Sequence, residues 1–344
     1  MALRLLSGLL RLPPLRGKLE SAPVTMRALF FILVALVLSP VVRAQEKGEA
    51  YMVVEANSGK VLMAANSGVQ RPIASLTKIA TAVITVDWAD ATGADLTKII
   101  ATVPPAALAF GGANPLSLQA GDRLTLRDAL YSAMLGSDNI AATTIADHVG
   151  REMLRARGKE GDGVAAFVNE MNELAKALGM SKTRFANPHG LELPKQKLYS
   201  TAADVARLSI YAMRKSGITF VVRQKERQIS VTGADGGKRE YKVRNTNEMI
   251  GEPNILGLKT GTTTPAGACL SISAERDNLV RELPNGDKKV TPRRLIVVVL
   301  NNADRFNRAR GLIPAGWAKY DAWVAAGAPV QDRESELLEV PNLR

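Results

Sequence analysis

Between residues 73 and 89 the chain carries a helical stretch whose apolar residues, Ile79, Ala80, Ala82, Val83, Ile84 and Val86, do not keep to one face. A helix that is apolar all round is normally buried, so this segment is expected at the centre of the fold, with the rest of the chain around it. Upstream, residues 51–55 and 60–63 read as two short strands around Asn57-Ser58-Gly59, good turn chemistry for a hairpin. Three helical blocks follow. Residues 126–148 carry Ala129, Leu130, Ala133 and Met134 and break at Gly136. Residues 164–178 set Phe167, Met171, Leu174 and Leu178 on one face, and residues 201–213 start at Thr201 as N-cap and turn Leu208, Tyr211 and Ala212 inward.

The last third changes period. Residues 227–243 read as a hairpin around Asp235, residues 268–274 and 295–300 as strands, and residues 315–326 as a closing helix with Trp317, Tyr320 and Trp323 near one face. Strands at both ends with helices between them imply that the chain ends rejoin one sheet. The expected class is α+β, an antiparallel sheet with flanking helices and a helical subdomain. No internal repeat divides the chain, so one domain is expected over residues 45–329, followed by a short tail at 330–344.

Residues 29–38 are unbroken apolar sequence, preceded by Met26-Arg27 and followed by Val42-Arg43-Ala44. That is the pattern of a secretory signal, with cleavage expected after Ala44. The stretch is shorter than the roughly 20 residues a membrane helix needs, so membrane contact is expected only through an uncleaved signal. Residues 1–25 extend this leader, and Met26 would itself make a start. The expected location is the periplasm or cell envelope. The formal charge of +12 is partly this leader, which holds six basic residues and one acid, leaving about +7 on residues 45–344. A moderate positive field favours anionic partners, but aromatic residues are 5% and no long basic run is interleaved with them, so no nucleic acid is expected. Cys269 is the sole cysteine, and His148 and His189 do not form a zinc-type pair. Neither a disulfide nor a metal or other cofactor is expected.

Three short elements remain: Ser75-Leu-Thr-Lys78, Ser137-Asp-Asn139 and Lys259-Thr-Gly261. Each is unremarkable alone. Each occurs once here, however, in the order shared by class A β-lactamases and penicillin-binding proteins. Positions i and i+3 of a helix face the same way, so Lys78 can hydrogen-bond Ser75. A serine hydroxyl needs an unprotonated base. Burial, and repulsion from Lys259, are expected to lower the Lys78 pKa toward a useful range. Lys259-Thr-Gly261 is expected to precede a strand, with the glycine letting a substrate backbone lie close and Lys259 and Thr260 holding a carboxylate.

With these elements in place, the chain resembles the low-molecular-mass penicillin-binding proteins, the serine D-alanyl-D-alanine carboxypeptidase family, from about residue 51 to 327. The resemblance is carried by Arg71-Pro-Ile-Ala-Ser-Leu-Thr-Lys78, Phe185-Ala-Asn-Pro-His-Gly-Leu191, Tyr199-Ser-Thr-Ala202 and Gly257-Leu-Lys-Thr-Gly-Thr-Thr263. It implies a β-lactamase/transpeptidase-like fold and an acyl-enzyme cycle on peptidoglycan stem peptides, with Ser75 as nucleophile and Lys78 as base. Ser137 would relay a proton to the leaving amine and Asn139 would bond the substrate amide. The backbone N–H groups of Ser75 and Thr262 would form the oxyanion hole, beside Lys259, Thr260 and Gly261. It also implies β-lactam antibiotics as inhibitors. Family members with a second β-rich domain and an anchor continue beyond the equivalent of residues 317–323, so this chain resembles the compact members, some of which are endopeptidases.

Two other readings stay open. A class A-like β-lactamase would need a water-activating glutamate, for which Glu173 is the candidate, and a non-catalytic module would keep the fold and bind the cell wall or penicillin. His189, in Asn187-Pro-His-Gly190, is expected to shape a turn. Cys269 is expected to be a small strand residue.

Overall fold

A computed structural model describes residues 48–343; the expected signal segment at 1–44 and its cleavage site lie outside them. Strands β1 (Ala50–Glu55) and β2 (Val61–Ala65) form the expected hairpin. Glu55 fixes its turn by accepting hydrogen bonds from the backbone N–H of Asn57 and Ser58 at 3.0 and 2.7 Å. A single 3-10 turn, Ala74–Thr77, leads into helix α1 (Lys78–Thr92). Then come β3 (Ile100–Thr102), β4 (Arg123–Thr125), α2 (Leu126–Leu135), α3 (Asn139–Ala156), α4 (Gly163–Ala177), α5 (Ala202–Met213) and α6 (Ser216–Val222). Strands β5 (Glu226–Thr232), β6 (Lys238–Arg244), β7 (Ile255–Thr263), β8 (Gly267–Glu282) and β9 (Lys288–Leu300) precede α7 (Arg305–Ala325) and the one-turn α8 (Arg333–Glu336).

The chain ends do rejoin one sheet: the order is β2-β1-β9-β8-β7, every neighbouring pair antiparallel. Residues 295–300 of β9 are apolar without a break because both faces of the sheet are covered. Side chains alternate across a strand. Ile296, Val298 and Leu300 enter the core shared with α1, whereas Leu295, Val297 and Val299 pack with Leu312, Trp317 and Tyr320 of α7. Helix α1 is enclosed as its composition requires, in contact with α2, α3, α4, α5 and α6, and Ile79, Ala80 and Val83 have no exposed surface.

The hairpin at residues 227–243 forms, but it does not join the main sheet. It pairs with β3 and β4 in a second sheet, ordered β3-β4-β5-β6. Its inner residues Ile229, Val231 and Val243 are buried on one face only, and its three-residue partners are too short to show a period in the sequence. Residues beyond 330 fold back on the body: Leu338 is buried, its N–H donates to the Gly59 carbonyl at 2.7 Å, and Arg214 donates to the Val340 and Pro341 carbonyls.

Because α1 has neighbours on every side, a cavity in it cannot be relieved by a shift toward solvent. Ile79→Ala is expected to cost about 2–4 kcal/mol, read as a lower urea midpoint at unchanged slope.

Candidate active site

Ser75 lies inside the 3-10 turn that opens α1. Ala74 before it has φ +48°, the left-handed region that a residue with a Cβ seldom enters. Such strain persists only where the surroundings hold it. Two glycines supply that hold by letting other segments press on the turn. A Cβ on Gly190, at φ +90°, would overlap the Ala74 carbonyl, and one on Gly261 would come within 2.8 Å of the Ser75 nitrogen.

Lys78, the first residue of α1, has no exposed surface. Its Nζ is 3.0 Å from Ser75 Oγ, 2.7 Å from Asn139 Oδ1 and 3.1 Å from the His189 carbonyl. Burial pushes the Lys78 pKa down to about 7, opposed by the Asp138 carboxylate, which favours the ammonium. The expected repulsion between the two lysines is felt at Lys259 instead, held well below the usual lysine range by burial first, then by Lys78 and Arg305. A neutral amine has two N–H donors and one lone pair. Asn139 Oδ1 and the His189 carbonyl take the two donors, and the lone pair is left for the Ser75 hydroxyl.

The break between α2 and α3 follows from local chemistry. Ser137 has φ +61°, and Asp138 caps α3 by accepting from the N–H groups of Ile140 and Ala141 while its other oxygen accepts from Ser132 Oγ. Asp138 was read from the sequence only as the middle of a motif; here it is the buried carboxylate nearest the base. Asn139 is anchored by its N–H to the Ala113 carbonyl at 2.8 Å and by Nδ2 to the Gly111 carbonyl at 3.4 Å. Lys78 makes its contact in this segment with Asn139 and not with Ser137, which stands half-buried beside it.

Lys259, Thr260 and Gly261 lie within β7, the edge strand of the main sheet, rather than before a strand as the sequence was read. The glycine is also required by the protein's own packing, since a Cβ there would come within 2.8 Å of the Ser75 nitrogen. Lys259 is buried, Thr260 Oγ1 is 2.6 Å from Thr246 Oγ1, and Thr262 is exposed with its hydroxyl accepting from Arg305 at 2.8 Å. Arg305, at the start of α7, also donates to the Gly261 carbonyl at 2.8 Å and the Cys269 carbonyl at 3.2 Å. No pattern in the sequence singles it out, since only the path from β9 into α7 brings it to the cleft. Lys259 and Arg305 together form a basic end of the site that an anionic group would complete.

His189 is buried, and burial with repulsion from Lys78 pushes its pKa down to about 3, which leaves a neutral ring. Its Nδ1 accepts from the Leu191 N–H, and Asn187 Oδ1 accepts from the N–H groups of His189 and Gly190. The residue shapes the turn and lends its carbonyl to Lys78. Burial pushes the Cys269 thiol up to about 11, so this cysteine is a poor nucleophile. Glu173 is exposed on α4 with Lys176 as its ion-pair partner at 3.9 Å, which removes the glutamate on which a class A-like reading relied.

The family model for D-alanyl-D-alanine carboxypeptidase matches residues 39–282. The chain is 29% identical over 234 residues to the D-alanyl-D-alanine carboxypeptidase DacF of Bacillus subtilis, covering 68% of this chain and 55% of that protein. It is 31% identical over 221 residues to a D-alanyl-D-alanine endopeptidase of Pseudomonas aeruginosa, covering 64% of each. The chain thus spans between half and two thirds of the length of these relatives. Its fold is similar to that of the Streptomyces K15 DD-transpeptidase, with TM-score 0.65 and 26% identity over 78% of this chain and 96% of that one.

Among the described residues Asp138 is the charge that opposes the depression of Lys78, so Asp138→Asn, which can still cap α3, is expected to move the Lys78 titration below 7. Nitrogen-labelled lysine followed by NMR against pH checks it; an unchanged or raised midpoint would refute the electrostatic account.

Proposed function

Since the chain belongs to the D-alanyl-D-alanine carboxypeptidase family, we propose that it is a serine DD-peptidase that cleaves the D-alanyl-D-alanine bond of peptidoglycan stem peptides through an acyl-enzyme on Ser75. The observation that carries this reading is the buried Lys78 amine, 3.0 Å from Ser75 Oγ and with a pKa near 7. A general base is most effective when its pKa lies near the working pH.

In the proposed cycle, Lys78 takes the Ser75 proton as Oγ attacks the carbonyl carbon of the penultimate D-alanine. The oxyanion is received by the backbone N–H groups of Ser75 and Thr262. Preorganised donors of this kind contribute about 3–4 kcal/mol each in acyl transfer. The C–N bond then breaks as the proton returns from Lys78 to the leaving amine, with Ser137 as relay. Water, deprotonated by the same amine, attacks the ester and frees Ser75. The terminal carboxylate of the substrate occupies the basic end, held by Lys259, Thr260, Thr262 and Arg305, with Gly261 keeping the strand against the serine turn. Asn139, anchored through its backbone, both orients Lys78 and offers Nδ2 to the substrate amide. A strained β-lactam amide would acylate the same serine and leave an ester. The apolar run at residues 29–38 supports an exported protein working in the periplasm or cell envelope, where such substrates lie.

Three outcomes are expected with pentapeptide stems and cross-linked dimers as substrates. Ser75→Ala abolishes turnover of both, and free D-alanine released by the parent protein establishes a carboxypeptidase, whereas dimer cleavage alone makes it an endopeptidase. Because the base is the deprotonated form, kcat/KM rises with pH through about 7 and then levels; a profile flat from pH 5 to 8 would exclude Lys78 as base. Arg305→Ala raises KM about tenfold for peptides with a free C-terminal carboxylate, the size expected for losing one charge-assisted contact.

A further inference from the structure

An acidic side chain stands close to the basic groups, on the segment that follows His189. Glu192 is half-buried, and its Oε1 accepts from Thr263 Oγ1 at 2.8 Å. Among the described residues no lysine or arginine forms an ion pair with it. Its segment forms the wall of the cleft: the His189 carbonyl holds Lys78, Gly190 presses on Ala74, Leu191 lies against Gly112 beside Asn139, and Glu192 reaches β7. A half-buried carboxylate with one hydroxyl donor and no counter-ion has unused acceptor capacity, and a cation there would be held by a charge-assisted hydrogen bond.

The direction of the substrate follows from the same strand. A peptide with its carboxylate at Lys259–Thr260 and its scissile carbonyl between the N–H groups of Ser75 and Thr262 runs antiparallel along the open edge of β7. Each residue advances about 3.3 Å. The residue before the two D-alanines therefore comes to lie over Thr263, beside Glu192.

From this, and resting on the peptidase reading above, we propose that Glu192 is a specificity residue that binds a primary ammonium on the side chain preceding the D-alanine pair. The preferred substrate would be a stem whose own diamino residue has not been acylated by a neighbour. Acylation of that amine removes its charge and adds bulk, so the two kinds of stem differ at this position.

The test compares Nα-acetyl-L-lysyl-D-alanyl-D-alanine with its Nα,Nε-diacetyl counterpart on the full chain, scoring released D-alanine. For the parent protein kcat/KM is expected to favour the free amine about five-fold, mainly through KM, as for a partly exposed ion pair. The ratio should shrink as salt is added. Glu192→Gln, which keeps an acceptor for Thr263, should bring the ratio to near one, and Glu192→Lys should invert it. Equal rates for the parent protein, or a ratio that survives in Glu192→Gln, would overturn the assignment and leave the peptidase reading intact. Absence of D-alanine from both peptides with the parent protein would overturn this assignment, and the peptidase reading falls with it only if cross-linked dimers are left uncleaved as well.

Discussion

A primary amine with no contact to water has to find its partners within the protein, and an ammonium in such a place costs several kcal/mol more than the neutral amine. Lys78 is in this position because it begins a helix whose residues 78–86 are all buried. The helix cannot be exposed, so its first side chain cannot escape to solvent. The amine responds by giving up its charge near neutral pH, and the remaining N–H groups are met by Asn139 and His189, 61 and 111 residues further along the chain. The α3 cap and the turn at residues 187–190 are therefore bound to the chemistry of one nitrogen. This ties the start of α1, the start of α3 and the 187–190 turn together at the site.

Close backbone contacts, beside the hydrogen bonds, hold the serine turn. Ala74 is kept at positive φ between Gly190 on one side and Gly261 of β7 on the other. Both contacts are between backbones, where a single methyl group has no room. An edge strand pressed against a strained turn fixes the serine N–H and the N–H of Thr262 relative to each other. In the proposed cycle these donors would be in place before substrate arrives, with no reorganisation at the moment of reaction.

Charge is distributed along the cleft in a way that burial makes consequential. Buried Lys259 feels repulsion from Lys78 and from half-buried Arg305, and that repulsion is eased by losing its proton or by gaining an anion. Their disposition favours a carboxylate more strongly than any exposed group of the same charge could, because low-polarity surroundings screen little. Glu192, bonded to Thr263 next to the Arg305-bonded Thr262, reverses the sign within one residue of β7. A peptide with a negative terminus and a positive side chain is matched by both.

By itself the sequence determined the parts that local rules govern. The all-round apolar pattern of residues 79–86 placed α1 in the core, the Asn-Ser-Gly turn gave the first hairpin, Thr201 gave a helix start, and spacing i to i+3 put Lys78 beside Ser75. The three motifs named Ser75, Lys78, Ser137, Asn139 and Lys259 to Gly261 as candidates, and the family resemblance added Thr262. What only the tertiary structure decided depends on segments far apart in the chain. Arg305 and Glu192 sit in unremarkable stretches and gain meaning only where the β9–α7 path and the 189–192 wall meet β7. The second sheet recruits strands of three residues, too short for a period to be read. The function of Gly261 could not be inferred from its neighbours in sequence, because its close contact is the Ser75 turn, 186 residues earlier. Sequence rules report what a residue prefers over one turn or one strand, whereas burial, which sets the Lys78 charge, is a property of everything packed around it.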